Sequence, residues 1–212
     1  MYLCNYLHKK KIIMKKFLSL SVIIALSALA YAGEKNITLT SGHNYMFQDA
    51  SKTALFVFDY DDCYGGEISK GVLKEGALPL EEYLAARGDD SLKDWPGLQE
   101  FAYERFFKNW NVMNRKRMRL ASATDTPDYL ITFHVKGIDF GSTAAALFGV
   151  GKAGGIILIG DIDVVDMATN ETVATYKVHQ IKGQGDIGEA MRMWIVYNQF
   201  LGEFTRFNFK VQ

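Results

Sequence analysis

Cysteine is scarce in this sequence, with only Cys4 and Cys63 among 212 residues. Cys4 lies in an N-terminal segment that we expect the mature protein to lose, so Cys63 would remain alone. A single thiol cannot close a disulfide within the chain, and the hydrophobic core must therefore hold the fold. No neighbour in the sequence is of the kind that lowers a thiol pKa, so we expect Cys63 to be buried and unreactive.

An excess of positive charge is also missing. The chain has 24 basic and 24 acidic residues, and five of the lysines but none of the acids lie in residues 1–32. Without that segment the net charge is 19 − 24 = −5. Duplex nucleic acid would repel this charge, so we expect no nucleic-acid partner.

Long apolar runs are limited to one, at residues 17–29. It follows two lysines and precedes the small-x-small sequence Ala-Tyr-Ala at 30–32, a pattern typical of a secretory signal peptide over 1–32. Met14 is a candidate for the true start. The run is too short for a bilayer of about 30 Å, and no second run follows, so we expect no transmembrane span in the mature chain. No lipobox cysteine precedes the cleavage point, which predicts export to the periplasm or medium without a lipid anchor.

The mature chain, 33–212, has a length of 212 − 32 = 180 residues, which fits one domain. Hydrophobic periodicity predicts the order β-α-β-β-β-β-α. This order favours an α+β fold, with a mostly antiparallel mixed sheet and two helices packed on one of its faces. The predicted strands are 53–60, 118–121, 128–139, 156–165 and 172–182, and the predicted helices are 95–113 and 186–204.

Capping residues and apolar stripes define the two predicted helices. Asp94 is a candidate cap before Pro96 for the first helix, and Asp186 begins a capping-box pattern for the second. The apolar stripes include Trp110 and Trp194, and we expect both indoles to be buried where the helices pack side by side. Residues 61–94 have no clear period and are predicted to form an irregular insertion with one short helix near 79–86.

The Gly/Ala-rich stretch 141–155 contains GVGKAG, which has the glycine spacing of a dinucleotide-binding loop. Such a loop needs a strand before it and a helix after it, and here a strand follows. A Walker motif is also missing. We therefore expect no nucleotide and no other cofactor, and interpret the stretch as a flexible connection. Its exposed apolar residues could contact a partner, and the candidates are Ala144, Leu147, Phe148 and Val150.

The stretch LFVFDYDDC resembles the first motif of haloacid-dehalogenase phosphatases, in which one aspartate is the nucleophile and the next is the acid/base. Asp59 and Asp61 would take these roles with Mg²⁺, and Asp161 and Asp166 resemble the later acidic motif. That fold is parallel and doubly wound, whereas the strand that carries Asp161 leads into a hairpin. We therefore keep the phosphatase only as an alternative. In the favoured interpretation, the aspartates solvate the end of a strand.

Polar residues alternate with apolar ones on three predicted strands. Two histidines and two aspartates could ligate zinc if they converged on one point. A solvated sheet face is favoured, and we expect no metal site. Burial of an aspartate would be costly, which selects the hairpin register that pairs Asp161 with Lys177 and Asp163 with Thr175. The polar set is His134, Lys136, Asp161, Asp163, Lys177 and His179.

The segments PDYLITFHVKGIDFGS and IDVVDMATNETV resemble those of small bacterial envelope proteins, many of them lipoproteins. The resemblance is weaker to penicillin-binding-protein activators and to the N-terminal domain of the TolB translocation protein. In the small envelope proteins, a glycine often occupies the turn position that is Asn170 in this sequence. The resemblance implies a protein that binds or assembles rather than catalyses, with an envelope protein or a glycan as its partner.

Three hypotheses about function follow from the sequence. The leading one is an exported, non-catalytic binding or assembly module of the bacterial cell envelope. The second is the Mg²⁺-dependent phosphatase that uses Asp59 and Asp61. The third is a structural subunit of an envelope complex, bound through residues 141–155.

We predict that the mature protein begins at Gly33, because cleavage should follow the small residues at 30–32. Intact-mass measurement of the exported protein should give the unmodified mass of residues 33–212. Retention of residues 14–32 or an acylated N-terminus would contradict this prediction.

Overall fold

The computed structural model describes residues 36–122, 125–141, 154–185 and 188–209. The predicted signal peptide therefore lies outside the described residues. Within these ranges, no helix is long and apolar enough to cross a membrane. The described strands are β1 (Ile37–Gly42), β2 (Thr53–Asp59), β3 (Tyr64–Gly65), β4 (Ile68–Ser69), β5 (Val72–Leu73), β6 (Leu78–Pro79), β7 (Arg119–Leu120), β8 (Tyr129–Asp139), β9 (Ile157–Asp166) and β10 (Glu171–Lys182). The described helices are α1 (Leu80–Arg87), α2 (Asp89–Met113) and α3 (Glu189–Phe209), with a 3-10 helix at Tyr45–Gln48.

The main sheet is mixed and has eight strands, which confirms the predicted α+β class. Its central order is β1-β10-β9-β8-β2-β7, and β3 pairs with both β8 and β6. The strands from β8 to β10 and β1 pair antiparallel. The pairs β2–β8, β2–β7 and β3–β8 are parallel. Strands β4 and β5 form a separate two-stranded sheet.

The predicted hairpin register is confirmed. Asp161 stands opposite Lys177, and Asp163 stands opposite Thr175. The Lys177 ammonium lies 3.0 Å from the Asp161 carboxylate, and both side chains are close to half exposed. The alternate residues, such as Ile162, are buried. The avoided burial of carboxylates therefore accounts for the register.

The two long helices lie side by side over the other face of the sheet, as expected. A cluster of aromatic rings lies between the helices and the sheet, and its rings contact one another in stacked, edge-to-face and tilted pairs. Phe56 of β2 contacts the rings of Phe106, Trp110 and Phe200, at centroid distances of 4.9 to 5.8 Å. This cluster fixes β2 against both helices.

Several expectations about the helices are wrong in detail. Helix α2 begins at Asp89, so Asp94 lies inside it and does not cap it, and Pro96 is an internal proline. Helix α3 continues to Phe209 because apolar residues on its inner face extend past the predicted end. Trp194 is only partly buried, since the face that meets the sheet passes through Val196 and Phe200 instead. Asp186 lies outside the described residues.

Two other features were not expected from the sequence. Strand β1 pairs with β10 at the edge of the sheet, but only Ile37 among its residues is buried, so its apolar pattern is weak. The predicted irregular insertion 61–94 contains the four two-residue strands β3 to β6. Its expected short helix is confirmed as α1.

We predict that Trp110→Ala lowers the free energy of unfolding by about 3–5 kcal/mol, because the indole is fully buried. The substitution also leaves the buried carbonyl of Met118 without its indole donor, which lies 3.1 Å away. Trp194→Ala is the matched control and should cost clearly less, since that indole is partly exposed. Equal losses for the two variants in urea unfolding would contradict the packing described.

Candidate functional site

A groove runs along β2 between this strand, the first half of α2 and helix α1. Its inner part, about 450 Å³, lies between β2 and α2 and is bordered by Pro96 and Tyr103. Its outer part, about 1120 Å³, extends past the end of β2 to α1. The two parts share Val57, Phe58 and Gln99 among their lining residues, so we treat them as one site, the β2 groove.

The charged side chains that line the β2 groove all have the same sign. Asp59 ends β2 and Asp61 follows it, and two more acids come from α1 and one from α2. None of the described lining residues is a lysine or an arginine. The remaining wall is mostly apolar. The site is therefore suited to a partner that has both apolar and cationic groups. The acidic residues are Asp59, Asp61, Glu81, Glu82 and Glu100.

Asp59 is held in place at the mouth of the groove by both of its carboxylate oxygens. The backbone N–H of Asp61 donates to Oδ1 at 3.0 Å, and Nδ1 of His134 lies 2.6 Å from Oδ2. Nε2 of the same ring lies 3.5 Å from Asp163. The hydrogen bond from Asp61, together with that from His134, lowers the pKa of Asp59 below its usual range. Asp59 is therefore a fixed anion.

Two tyrosine hydroxyls and a thiol belong to residues that line the groove. The hydroxyls of Tyr60 and Tyr197 are 2.9 Å apart, and burial raises the pKa of both phenols. Cys63 is 3% exposed, and burial raises the pKa of its thiol to about 12. Because the thiolate is the nucleophilic form, this cysteine is unreactive near neutral pH, as the sequence predicts.

The sheet does not bring the candidate phosphatase residues into the arrangement that this chemistry needs. Strand β9, which carries Asp161, is antiparallel to both of its neighbours. In the cross-strand row, His134 stands between Asp59 and Asp161. The backbone N–H of Asp61 donates to Asp59, and Asp161 is not among the described residues that line the groove with Asp61. The geometry therefore removes the main support for the phosphatase hypothesis.

The polar residues of the open sheet face also do not converge on one point. His179 of β10 hydrogen-bonds to Thr38 at 3.0 Å, whereas His134 of β8 bonds to Asp59. In the described part of the chain, no group of three or more His, Cys, Asp or Glu side chains is placed to hold a metal ion. The interpretation of this face as a solvated surface with cross-strand pairs is thus favoured over the zinc site.

The four apolar partner-binding candidates, Ala144, Leu147, Phe148 and Val150, lie outside the described residues. Gly141 and Gly154, near the two ends of the segment that carries them, lie next to each other. The fully buried guanidinium of Arg192 donates to the carbonyls of Phe140, at 2.6 Å, and Gly154, at 3.0 Å. Gly141 has a φ of +67°, and a Cβ there would lie 2.6 Å from the Gly154 carbonyl oxygen. Arg192 therefore fixes the two ends next to each other.

Sequence reasoning missed both Arg192 and the groove itself. Arg192 lies in an amphipathic helix where an arginine normally faces solvent, and nothing in its local sequence marks it as buried. The groove forms between segments that are distant in sequence, from β2 to α3. Only the acidic composition of residues 59–82, next to the end of an apolar strand, was a signal that could have located it.

We predict that Asp59→Asn destabilises the protein more at pH 7 than at pH 3. The pKa of Asp59 is lowered in the folded state, so its ionised form stabilises the fold above about pH 4, and this contribution is lost as the pH falls through the folded-state pKa. Urea unfolding at the two pH values measures the difference.

The control for this prediction is Asp62→Asn, because the Asp62 side chain is 83% exposed and makes only a 3.4 Å contact with Lys136. It should change stability little at either pH. An equal effect of Asp59→Asn at both pH values would mean that the ionised carboxylate contributes nothing to the fold.

Comparison with known proteins gives no family assignment, because no family model matches and no curated protein matches. Among solved structures, a PelC dodecamer from Paraburkholderia phytofirmans is 12% identical, with 78% of this chain and 96% of that chain covered and a TM-score of 0.39. A DUF330 protein from Xanthomonas campestris is 13% identical, with 79% and 89% covered and a TM-score of 0.34. Similarity at this level assigns no function. The expected resemblance to penicillin-binding-protein activators and TolB stays a prediction.

Proposed function

We propose that the protein is an exported binding or assembly module of the bacterial cell envelope, that it works without catalysis, and that the β2 groove is its binding site. The observation that carries the proposal is the groove itself. It combines an apolar wall with five carboxylates and no cation among its described lining residues. An envelope location rests on the signal-peptide pattern of residues 1–32.

The state of the acidic residues supports binding over catalysis. A nucleophilic carboxylate needs a free oxygen that can approach the substrate. Both oxygens of Asp59 are already engaged, by the Asp61 N–H and by His134. Among the described residues, the exposed acids from α1 and α2 have no such partners and are placed to attract a cationic group. These are the features of an electrostatic recognition surface.

A second site for assembly is the segment 141–155, as the sequence analysis suggests. The observation that favours it is the Arg192 clamp. A buried guanidinium that bonds the carbonyls of Phe140 and Gly154 fixes the two ends of the segment to α3. The described ends of the segment are thus fixed to the fold, and its apolar residues would contact a neighbouring protein. This is the route by which the protein would serve as a structural subunit.

The groove proposal is tested by photo-crosslinking in the producing bacterium. Gln99 lines both parts of the groove, and replacing it with p-benzoylphenylalanine puts the reactive group at the site. Gln199 of α3 is the matched control, because it is exposed and lies outside the groove lining. We expect an adduct of higher mass from position 99 and none from position 199. Absence of an adduct at 99, or equal adducts at both positions, would contradict the proposal.

A further inference from the structure

The outermost position of the sheet, beside β2, is filled only at its two ends. Strand β7 pairs with β2 at Thr53 and Ala54 and then stops. Strand β3 continues the line of β2 along β8, and β6 pairs with its outer edge. Opposite Leu55–Asp59 no described residue forms a strand pair on that side. The gap is about 17 Å long at about 3.3 Å per residue, which is enough for a short strand.

Main-chain groups of β2 point into this gap. In a strand, alternate residues direct both N–H and C=O toward the same edge. The carbonyl of Ala54 accepts from the N–H of Ala121, which follows β7, whereas the carbonyl of Thr53 accepts from Asp128, which precedes β8. Phe56 and Phe58 therefore direct their main-chain groups toward the gap, like Ala54. Exposed edges of this kind readily pair with another strand.

One side chain already occupies a strand-like bonding position in the gap. The hydroxyl of Tyr103, from α2, donates to the carbonyl of Phe56 at 2.9 Å. Apart from this bond, no described residue pairs with the gap-facing main-chain groups of Phe56 and Phe58. The Tyr103 hydroxyl thus makes the hydrogen bond that the N–H of an added strand would make.

The side chains around the gap select the sequence of an added strand. The inner part of the groove has apolar residues such as Pro96 and Tyr197 and one acid, Glu100. The outer part has four acids and no cation among its described lining residues. An occupant that carries both apolar and basic residues would fit both surroundings, and alternation along a strand would put the two residue types on opposite faces.

We propose that the β2 groove binds an extended, basic segment of a partner protein, which adds to the sheet as a strand between β7 and β6. The N–H of Phe56 and the N–H and C=O of Phe58 supply backbone hydrogen bonds, and the carboxylates of the groove supply charge complementarity. This inference rests on the proposed function and makes it specific, since a glycan in the groove would satisfy the proposed function but not this pairing.

The test uses a capped synthetic peptide, RVRVR, whose five residues match the length of the gap, with binding to the mature protein measured by calorimetry. Replacing its three arginines with glutamate should weaken binding by at least about tenfold, because each lost ion pair contributes up to about 1 kcal/mol. Two further peptides are used, one with its valines N-methylated and one with its other residues N-methylated. Each lacks the N–H groups that face one edge of the strand. One of these two peptides should lose binding and the other should retain it, because only alternate N–H groups face β2.

Two protein variants locate the binding. Gln99→Arg puts a cation into the groove and should weaken binding of RVRVR by at least about tenfold. Gln199→Arg, on α3, should leave it unchanged. No binding of the basic peptide, equal binding of the two N-methylated peptides, or equal binding of the glutamate peptide would overturn the strand addition.

The two proposals can fail separately. If the photo-crosslink at position 99 captures a glycan and the peptide does not bind, the groove is a binding site but strand addition is wrong. If position 99 gives no adduct in cells, the proposed function fails whatever the peptide does.

Discussion

The packing of β2 is the constraint on which the rest of the structure depends. On one face, Phe58 stacks flat on Tyr197 of α3, with ring centroids 3.8 Å apart and planes at 2°. Phe56 lies among the aromatic rings of both long helices. On one edge β2 pairs in parallel with β8 over six residue pairs. These contacts hold the strand firmly while its other edge remains open from Leu55 onward, and the groove follows from that openness.

The electrostatics of the groove follow from the same arrangement. β2 ends in Asp59, and the row of cross-strand neighbours puts His134 and then Asp161 beside it. The contact with His134 orients the Asp59 carboxylate, and Lys177 pairs with Asp161 farther along the row. Within the row, Asp161 thus has a lysine beside it, whereas the carboxylates from α1 and α2 line the groove with no described cation in its lining.

Local patterns in the sequence were sufficient to predict the hairpin and both long helices. In the hairpin, alternation of Asp161, Ile162 and Asp163 defines a polar and an apolar face, and only one register keeps them separate. The start of α2 was not predictable in this way, because Asp94 and Pro96 have the residue types of a helix N-terminus but lie inside the helix. The parallel pairing of β2 with β8, the groove and the burial of Arg192 depend on contacts distant in sequence. No local period reports them.

Amide hydrogen exchange across β2 in the free mature protein tests the central claim most directly. The claim is that the outer edge of this strand is unpaired. The N–H groups of Leu55 and Val57 face β8 and should exchange slowly, whereas that of Phe58 faces the gap and should exchange much faster. Phe56 should resemble Phe58, since the Tyr103 hydroxyl bonds its carbonyl and not its N–H. Strong protection at all four positions would show that the edge is already paired, and would contradict the account.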